Sequence, residues 1–225
     1  SLTELPLLGI NGLVGFGTFP VTISPIVKTK DFMKEAPNFY AKINSESNSA
    51  YGATLSFQTD LANTAKISEF WAHVGGAIGV TSIDGKIFAY SGSDSIDIGA
   101  SLTGYVNLGL VKKFYFRRFG LIFQADAKYA MTYISVSGRD NATYELTNGS
   151  LGLDGRAGLE IYLTPALSFG GCAEYNVFGV SNSWSAVVTD KDNKETKSGD
   201  AAGPDVNYSG LGVYAWINYS LPSLK

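Results

Sequence analysis

Apolar residues occupy nearly every second position of the segment from Ser150 to Leu163, SLGLDGRAGLEIYL. The intervening positions carry Asp154, Arg156 and Glu160. A helix is excluded because each of the three glycines would cost about 1 kcal/mol in a helix interior, and because the apolar residues recur with a period of two. The segment is therefore predicted to be a β-strand with one apolar face and one face that carries its charges.

The same alternation recurs in seven further segments of the chain. We predict eight strands, at about residues 8–27, 51–61, 70–83, 96–110, 119–136, 150–163, 167–180 and 208–221. Long polar connections span 28–50, 84–95, 137–149 and 181–207, and short ones span 62–69, 111–118 and 164–166. An even number of antiparallel strands, with long loops at one end and tight turns at the other, is typical of outer-membrane β-barrels.

The composition also indicates an all-β chain. The 225 residues include 26 glycines, 13 tyrosines and 13 phenylalanines, and only 16% of them are charged. We expect a single domain over residues 1–225. The net charge of −3 does not indicate a nucleic-acid partner, and the sequence has no run of about 18 apolar residues that would form a membrane-spanning helix. Cys172 is the one cysteine, which excludes an internal disulfide.

A soluble eight-stranded barrel of the lipocalin or streptavidin type would show the same alternation, with its polar face in water. Here that face is mostly Gly, Ser, Thr, Asn and Ala, and such small residues suit the crowded interior of a narrow barrel. The apolar face has no charge within the strand cores, as lipid contact requires, since a midplane charge costs about 2–4 kcal/mol. We therefore predict an all-β fold, an eight-stranded antiparallel transmembrane β-barrel of up-and-down topology.

In this architecture the chain resembles the small outer-membrane barrels of Gram-negative bacteria, of the OmpA, OmpX and OmpW kind. The resemblance covers residues 8–221 and lies in strand number, alternation and connection lengths, since no specific family motif is matched. It implies a location in the bacterial outer membrane with both termini periplasmic. In one departure, Tyr219 is followed by SLPSLK, whereas such barrels usually end on an aromatic residue.

Charged residues on the polar faces are predicted to form an ion-pair layer that plugs the lumen: Asp126, Lys128, Asp154, Arg156, Glu160 and Glu174. Across the last short turn, an antiparallel register sets Arg156 opposite Glu174. Across the connection 137–149, the register places Lys128 diagonal to Glu160 and Arg156. Buried charges need partners, because removing one partner costs about 3–5 kcal/mol. A gated ion path is the alternative interpretation, which the narrow interior disfavours.

His73 is the one histidine of the chain. The register places it in the lumen near Gln58, Asp60 and Tyr105, where we expect a hydrogen-bonded interior imidazole. The alternative is a catalytic base in a lipid-modifying enzyme, which needs a nucleophile beside it and access to lipid. One histidine and one cysteine give no credible zinc site, and no phosphate-binding loop lies in a strand-to-helix context. We expect neither a metal nor a cofactor.

The first strand contains Pro20 and Pro25 in its loop-side half. Proline cannot donate to a sheet ladder. The strand is therefore expected to fray into its loop, and the alternative is a lateral gap in the wall through which a small apolar solute could enter the bilayer.

The turn VKKFYFRRFG, residues 111–120, combines basic groups with aromatic rings, which favour anionic headgroups and the membrane interface respectively. We expect a periplasmic girdle formed by Lys112, Lys113, Phe114, Tyr115, Phe116, Arg117 and Arg118, with Trp71, Trp216 and Tyr219. At the opposite end, the core of the connection 181–207 is predicted to extend the barrel as a hairpin with Asp192 and Asn193 near its turn.

Three classes of function remain open. The favoured one is a non-enzymatic structural or surface-interaction protein. One form of this function is an accessory subunit of an envelope complex, and the loops 28–50 and 181–207 are the expected contact regions. The second is a narrow channel for small or apolar solutes, and the third is a lipid-modifying enzyme. The expected partners are outer-membrane lipid and a protein or surface ligand.

Overall fold

The computed structural model of the chain describes residues 10–24, 39–43, 47–61, 70–89, 95–137, 142–190 and 195–221. These residues form the strands β1 (Ile10–Ser24), β2 (Phe39–Ile43), β3 (Ser47–Asp60), β4 (Phe70–Ala89), β5 (Ser95–Phe116), β6 (Phe119–Ser137), β7 (Ala142–Tyr162), β8 (Leu167–Phe178), β9 (Ser181–Asp190), β10 (Glu195–Asn207) and β11 (Gly210–Leu221).

Eight of these strands close into an antiparallel ring in the order β1, β3, β4, β5, β6, β7, β8 and β11. The ring closes because β11 pairs with both β8 and β1. The predicted eight-stranded antiparallel barrel is therefore confirmed. Closure leaves no open edge within this ring of described strands, as a sheet that crosses a bilayer requires. No helix within the described residues is long and apolar enough to cross a membrane.

Several strands extend farther than the sequence predicts. β6 ends at Ser137 and β7 begins at Ala142, so most of the predicted connection 137–149 is strand. β5 and β6 likewise meet at a turn formed by Arg117 and Arg118 alone. Because β6 and β7 continue past their predicted ends, the wall continues on the loop side of the ring.

The predicted hairpin within the connection 181–207 is confirmed, since β9 and β10 pair from Ser181 to Asp190. β9 also pairs with β7, and β10 pairs with the end of β1. The hairpin therefore continues the barrel wall beyond β8 and β11. Asp192 and Asn193, predicted near its turn, lie outside the described residues.

Side chains alternate between the two surfaces of the ring. On β7, Leu151, Leu153 and Leu159 are exposed, whereas Asp154 and Glu160 are buried. Exposed large apolar side chains occur on all eight ring strands. A soluble barrel has the reverse arrangement, and an apolar outer band is the property of a transmembrane barrel.

One face is predicted wrongly. The alternation of the predicted strand 96–110 sets Ile98 on the apolar, outward face, but its side chain is buried in the interior. The register between β4 and β5 shifts there, since Ser82 pairs with Ala100 and Gly85 pairs with Ile98. This irregularity reverses the alternation on the loop side of β5, as a bulge does.

Apolar side chains fill the loop-side part of the interior. The cluster includes Val21, Ile134, Leu146 and Val206, which are all fully buried. Trp184 of the hairpin also belongs to it, and its Nε1 donates a hydrogen bond to the backbone oxygen of Pro204 at 2.8 Å. The interior is therefore apolar on the loop side and polar toward the short turns.

The outer surface offers a direct test of lipid contact. Leu108 is 64% exposed on β5, and Leu108→Arg is expected to lower the free energy of unfolding in lipid vesicles by about 2–4 kcal/mol. The control is Ser137→Arg, at the exposed loop-side end of β6, where a charge costs only about 0–1 kcal/mol. Urea unfolding measures both variants, and equal losses would contradict a lipid-facing surface.

Candidate functional site: the ion-paired lumen

Arg156 and Glu174 form the centre of the lumen. They lie directly opposite each other on β7 and β8, as the sequence predicts. Arg156 Nε lies 2.5 Å from Glu174 Oε2 and 3.4 Å from Asp154 Oδ1. The guanidinium also faces the ring of Tyr214, whose centre is 5.3 Å away. Arg156 is thus held by two carboxylates and an aromatic face.

Lys128 joins the same cluster from β6. Its Nζ lies 2.5 Å from Glu174 Oε1, 2.9 Å from Asp154 Oδ2 and 4.0 Å from the ring centre of Tyr105. The prediction that Lys128 meets Glu160 is wrong. Because β6 and β7 continue through most of the connection 137–149, the register differs and Lys128 lies opposite Gly152.

Glu160 instead forms a second charged layer nearer the short turns. Its partner is Lys113, whose Nζ lies 3.4 Å from Glu160 Oε2. Asn218 donates a hydrogen bond to Glu160 at 2.7 Å, Tyr162 donates one at 2.9 Å, and Ser168 donates a third. A carboxylate with 0% exposure is therefore satisfied by one cation and three neutral donors.

Three residues predicted for the outer girdle lie inside the barrel instead. Lys113 is buried beside Trp71, with its Nζ 5.2 Å from the ring centre, and Trp216 packs against the same cluster. The aromatic and basic composition of the turn suggests the interface, whereas the alternation along the strands sets these three residues on the inner face. Lys113 shares its face with Tyr105, so the alternation itself could have placed it in the lumen.

The remaining girdle residues occupy the outer surface or the rim. Phe114, Phe116, Arg117, Arg118 and Tyr219 are exposed. Lys112 is half-buried and faces outward, with its Nζ over the ring of Phe70. Tyr115 lies at the rim, where its ring packs edge-on against Tyr162 at 5.8 Å.

His73 is buried on the lumen side of β4 with 2% exposure. Its Nδ1 lies 3.3 Å from Asp126 Oδ1 and 2.9 Å from Gln124 Nε2. Of its predicted neighbours, Gln58 lies directly opposite on β3. His73 is therefore a hydrogen-bonded interior imidazole, and its closest polar partners come from β6, which the sequence prediction missed.

The other predicted neighbours are distributed differently. Tyr105 faces a small lumen cavity of about 40 Å³ that Gln58 and His73 also line. Asp60 pairs with Trp71 in the register and is not among the residues that line this cavity. Of the predicted cluster, Gln58, His73 and Tyr105 therefore line the cavity, whereas Asp60 lies toward the short turns.

The cavity is polar on several sides. Buried atoms without a hydrogen-bonding partner in the described structure include Gln58 Oε1, Asn107 Oδ1 and Trp216 Nε1, and all three residues line the cavity. Its volume has room for about three water molecules. The cavity can therefore hold water but no larger solute.

Charge in the central layer is nearly balanced. The carboxylates of Asp126, Asp154 and Glu174 face the cations Lys128 and Arg156, and His73 is the further basic group in contact with Asp126. Each charged side chain therefore has an opposite charge within 4.0 Å. The charged side chains of this layer therefore pair with one another inside the lumen.

The wall is interrupted near the predicted lateral gap. β1 pairs with β11 as far as Thr18 and with β10 only from Thr22 onward. Pro20 lies between these two ladders, and on the other side it pairs with Ser49 of β3. Pro25 lies outside the described residues.

A second break adjoins this one, at the level where β8 ends and β9 begins and where β10 ends and β11 begins. Side chains bridge it. The backbone nitrogen of Phe178 donates to Ser209 Oγ at 2.8 Å, and Ser209 Oγ donates back to the Phe178 oxygen at 3.0 Å. Behind it, the hydroxyl of Tyr208 lies 3.0 Å from Thr132 Oγ1. Polar side chains thus close the wall where the backbone ladders of the described strands are interrupted.

Comparison with solved structures identifies the fold. A major outer membrane protein from Thermus thermophilus is similar with a TM-score of 0.55 at 10% identity, over 93% of this chain and 98% of that one. OprG from Pseudomonas aeruginosa gives 0.53 at 12% identity, over 96% and 98%. This is the fold of a bacterial outer-membrane β-barrel.

A third barrel, Neisserial surface protein A, gives a TM-score of 0.50 at 10% identity, over 93% of this chain and 97% of that one. No family model matches the chain, and no curated protein matches its sequence. The resemblance to small bacterial outer-membrane barrels is therefore confirmed at the level of the fold.

The central ion layer gives a stability prediction. Glu174→Gln leaves Lys128 and Arg156 buried with one carboxylate fewer, and is expected to lower the free energy of unfolding by about 3–5 kcal/mol. The control is Glu145→Gln, which alters one hydrogen bond from Tyr133 on the loop side and should cost about 0.5–1.5 kcal/mol. Urea titration in vesicles compares them, and a loss at Glu174 no larger than at Glu145 would show that the layer is not a buried ion network.

Proposed function

We propose that the protein is a non-enzymatic integral barrel of the Gram-negative outer membrane, with a closed lumen and a structural or surface-interaction role. The proposal rests on how the interior of the barrel is filled. Two charged layers and an apolar cluster fill the interior in succession from the short turns to the loop side. Among the described residues, a lumen filled in this way leaves no continuous path for solutes, so we expect the protein to act through its outer and loop-side surfaces.

The distribution of charge supports an orientation with the short turns in the periplasm. Arg117 and Arg118 form the tightest turn of the described barrel, and both are exposed. Phe116 and Phe119 beside them are 58% and 54% exposed. Basic groups next to a ring of aromatic side chains suit the phospholipid interface. Both termini then lie on the periplasmic side.

The loop-side extension is the surface best suited to a partner. β9 and β10 raise the wall beyond the ring, and the exposed side chains of β9 include Asn182, Ser183 and Ser185. Their polar character contrasts with the apolar belt below. A protein or surface ligand that contacts the cell from outside would meet this extension first, which also fits an accessory subunit of an envelope complex.

The position of His73 argues against a lipid-modifying enzyme. Its side chain has 1% exposure and points into the lumen, against Asp126. A catalytic base for lipid chemistry must reach the outer surface, where the substrate lies. The apolar wall separates His73 from lipid, so the imidazole serves the interior network instead.

Ion conductance in planar bilayers tests the closed lumen. The reconstituted protein is expected to give no steady single-channel current, because the charged layers are paired and the cavity beside Arg156 has a volume of only about 40 Å³. A general porin, measured in the same membrane, provides the positive control. Stable ohmic openings of the wild-type barrel would contradict the proposal.

A second candidate function is lateral passage of a small apolar solute into the bilayer. The interrupted ladder between Thr18 and Thr22 supports it, as does the apolar cluster behind it, which includes Val21. Uptake of an apolar dye by vesicles that contain wild-type or Ser209→Ala protein tests this candidate. Faster uptake with the variant would favour passage, and rates equal to empty vesicles for both proteins would exclude it.

A further inference from the structure

The outward face of β5 has a depression at Gly104. Along the strand, Gly104 lies between the exposed side chains of Leu102 and Val106. In the register it faces Ile78 of β4 on one side and Met131 of β6 on the other. Because glycine has no side chain, its large neighbours enclose a depression of about 360 Å³ on the outer surface.

Gly76 of β4 extends this depression toward the short turns. It pairs with Val106 of β5 and Leu55 of β3, and all three line an adjoining depression of about 660 Å³. Ile78 and Val106 line both depressions, which therefore form one outer groove across β3, β4, β5 and β6. The side chains of Ile78 and Val106 are 60% and 61% exposed, so the groove is open to the surroundings of the barrel.

The outer groove is long enough for an acyl chain. It begins at the level of Val74 on β4 and reaches Tyr133 on β6. Tyr133 lies level with Val80, because both residues pair with Leu102. The distance from Val74 to Val80 along the strand is about 20 Å. One leaflet contributes about half of a hydrocarbon core that is about 30 Å thick.

Two tyrosines mark the loop-side end of the outer groove. Tyr129 and Tyr133 both line its wall. Tyr129 pairs with Leu151, but its hydroxyl packs against Gly149, which lies nearer the loop side. The hydroxyl of Tyr133 likewise donates a hydrogen bond toward the loop side, to Glu145 Oε1. Both hydroxyls therefore point away from the apolar belt, as those of tyrosines at a membrane interface do.

Polar side chains continue the surface beyond these hydroxyls. Ser135 of β6 pairs with Glu145 of β7, and Thr147 of β7 pairs with Ser185 of β9. Ser135 and Ser185 are exposed. A molecule that matches both parts of this surface has an apolar chain for the groove and a headgroup rich in hydroxyl or amide groups.

Packing is what would hold an acyl chain in the outer groove. Lipid chains are as apolar as the barrel wall, so no hydrophobic force drives them there. Atoms that line an empty concave surface, however, lose dispersion contacts. A chain in the groove contacts its floor and both walls, whereas a chain on the flat wall contacts one side only. The volumes also lie within the range of about 300–1,000 Å³ that is usual for ligand sites.

We propose that the outer groove holds one acyl chain of a lipid A molecule, and that the hydroxyls of Tyr129 and Tyr133 contact its sugar headgroup. In the orientation proposed above, the loop side faces the outer leaflet, whose lipid is lipopolysaccharide. The glucosamine units of lipid A carry hydroxyl and amide groups that hydrogen-bond to tyrosine, serine and threonine hydroxyls. This site rests on the proposed orientation and adds the class of lipid to it.

Native mass spectrometry of the purified full chain in mild detergent tests the headgroup contact, with lipid A or phosphatidylethanolamine added separately. The wild type is expected to retain lipid A in preference to phosphatidylethanolamine. Tyr129→Phe should bind lipid A about fivefold more weakly, which is the effect of one neutral hydrogen bond. The control is Tyr175→Phe, which removes the hydroxyl of an exposed tyrosine on β8 and should match the wild type.

The same measurement tests the groove itself through a matched pair of isoleucines. Ile78 lines the groove and Ile217 of β11 does not, and their side chains are 60% and 61% exposed. Ile78→Ala should bind lipid A about threefold more weakly, because the chain loses dispersion contacts with one wall. Ile217→Ala should bind it as the wild type does.

The outcomes separate this site from the barrel proposal. Each variant is first checked for heat-dependent gel migration, so that weak binding is scored only on folded barrels. Equal losses for Ile78→Ala and Ile217→Ala would overturn the groove, and so would a dimer of the chain that Ile78→Ala dissociates. Equal retention of the two lipids by the wild type would overturn the lipid A assignment. None of these results would affect the proposal of a closed barrel, which depends on conductance.

Discussion

An eight-stranded ring has an interior only as wide as the side chains that line it, and every charge placed there must find its counter-charge within that space. The lumen meets this constraint by pairing charges between strands that are two apart in the ring as well as between adjacent strands. Lys128 of β6 reaches Glu174 of β8 at 2.5 Å, and Lys113 of β5 reaches Glu160 of β7 at 3.4 Å. These contacts tie together strands that are not neighbours in the ring, so the interior network and the closure of the wall stabilise each other.

The same lack of space explains why glycines face large lumen side chains. Trp216 lies opposite Gly170, where an added Cβ would come within 2.7 Å of the indole. At Gly75, an added Cβ would lie 2.7 Å from the Ser56 Cβ and 3.0 Å from Asn107 Oδ1. Bulky and polar groups therefore fit only because the facing position has no side chain. The high glycine content of the chain is in part a consequence of the filled lumen.

Alternation is a local property, and the sequence therefore predicts which face a residue occupies more reliably than which residue it meets. The pair Arg156 and Glu174 could be predicted because a short turn leaves little freedom in the register. The partner of Lys128 could not, because a long polar connection concealed strand residues of both β6 and β7. The wrong position for Lys113 has a different cause, since its aromatic and basic neighbours suggest the interface while its alternation indicates the lumen.

Cys172 allows the closed lumen to be tested without any substitution. It is the one cysteine of the chain and lines the small cavity between the charged residues. The measurement is its rate of reaction with a charged, membrane-impermeant thiol reagent when the folded protein is in lipid vesicles, with the unfolded chain as reference. Cys172 is expected to stay unmodified in the folded barrel and to react readily once the protein is unfolded. Rapid modification of the folded barrel would show that solutes enter the lumen, and would contradict the closed interior.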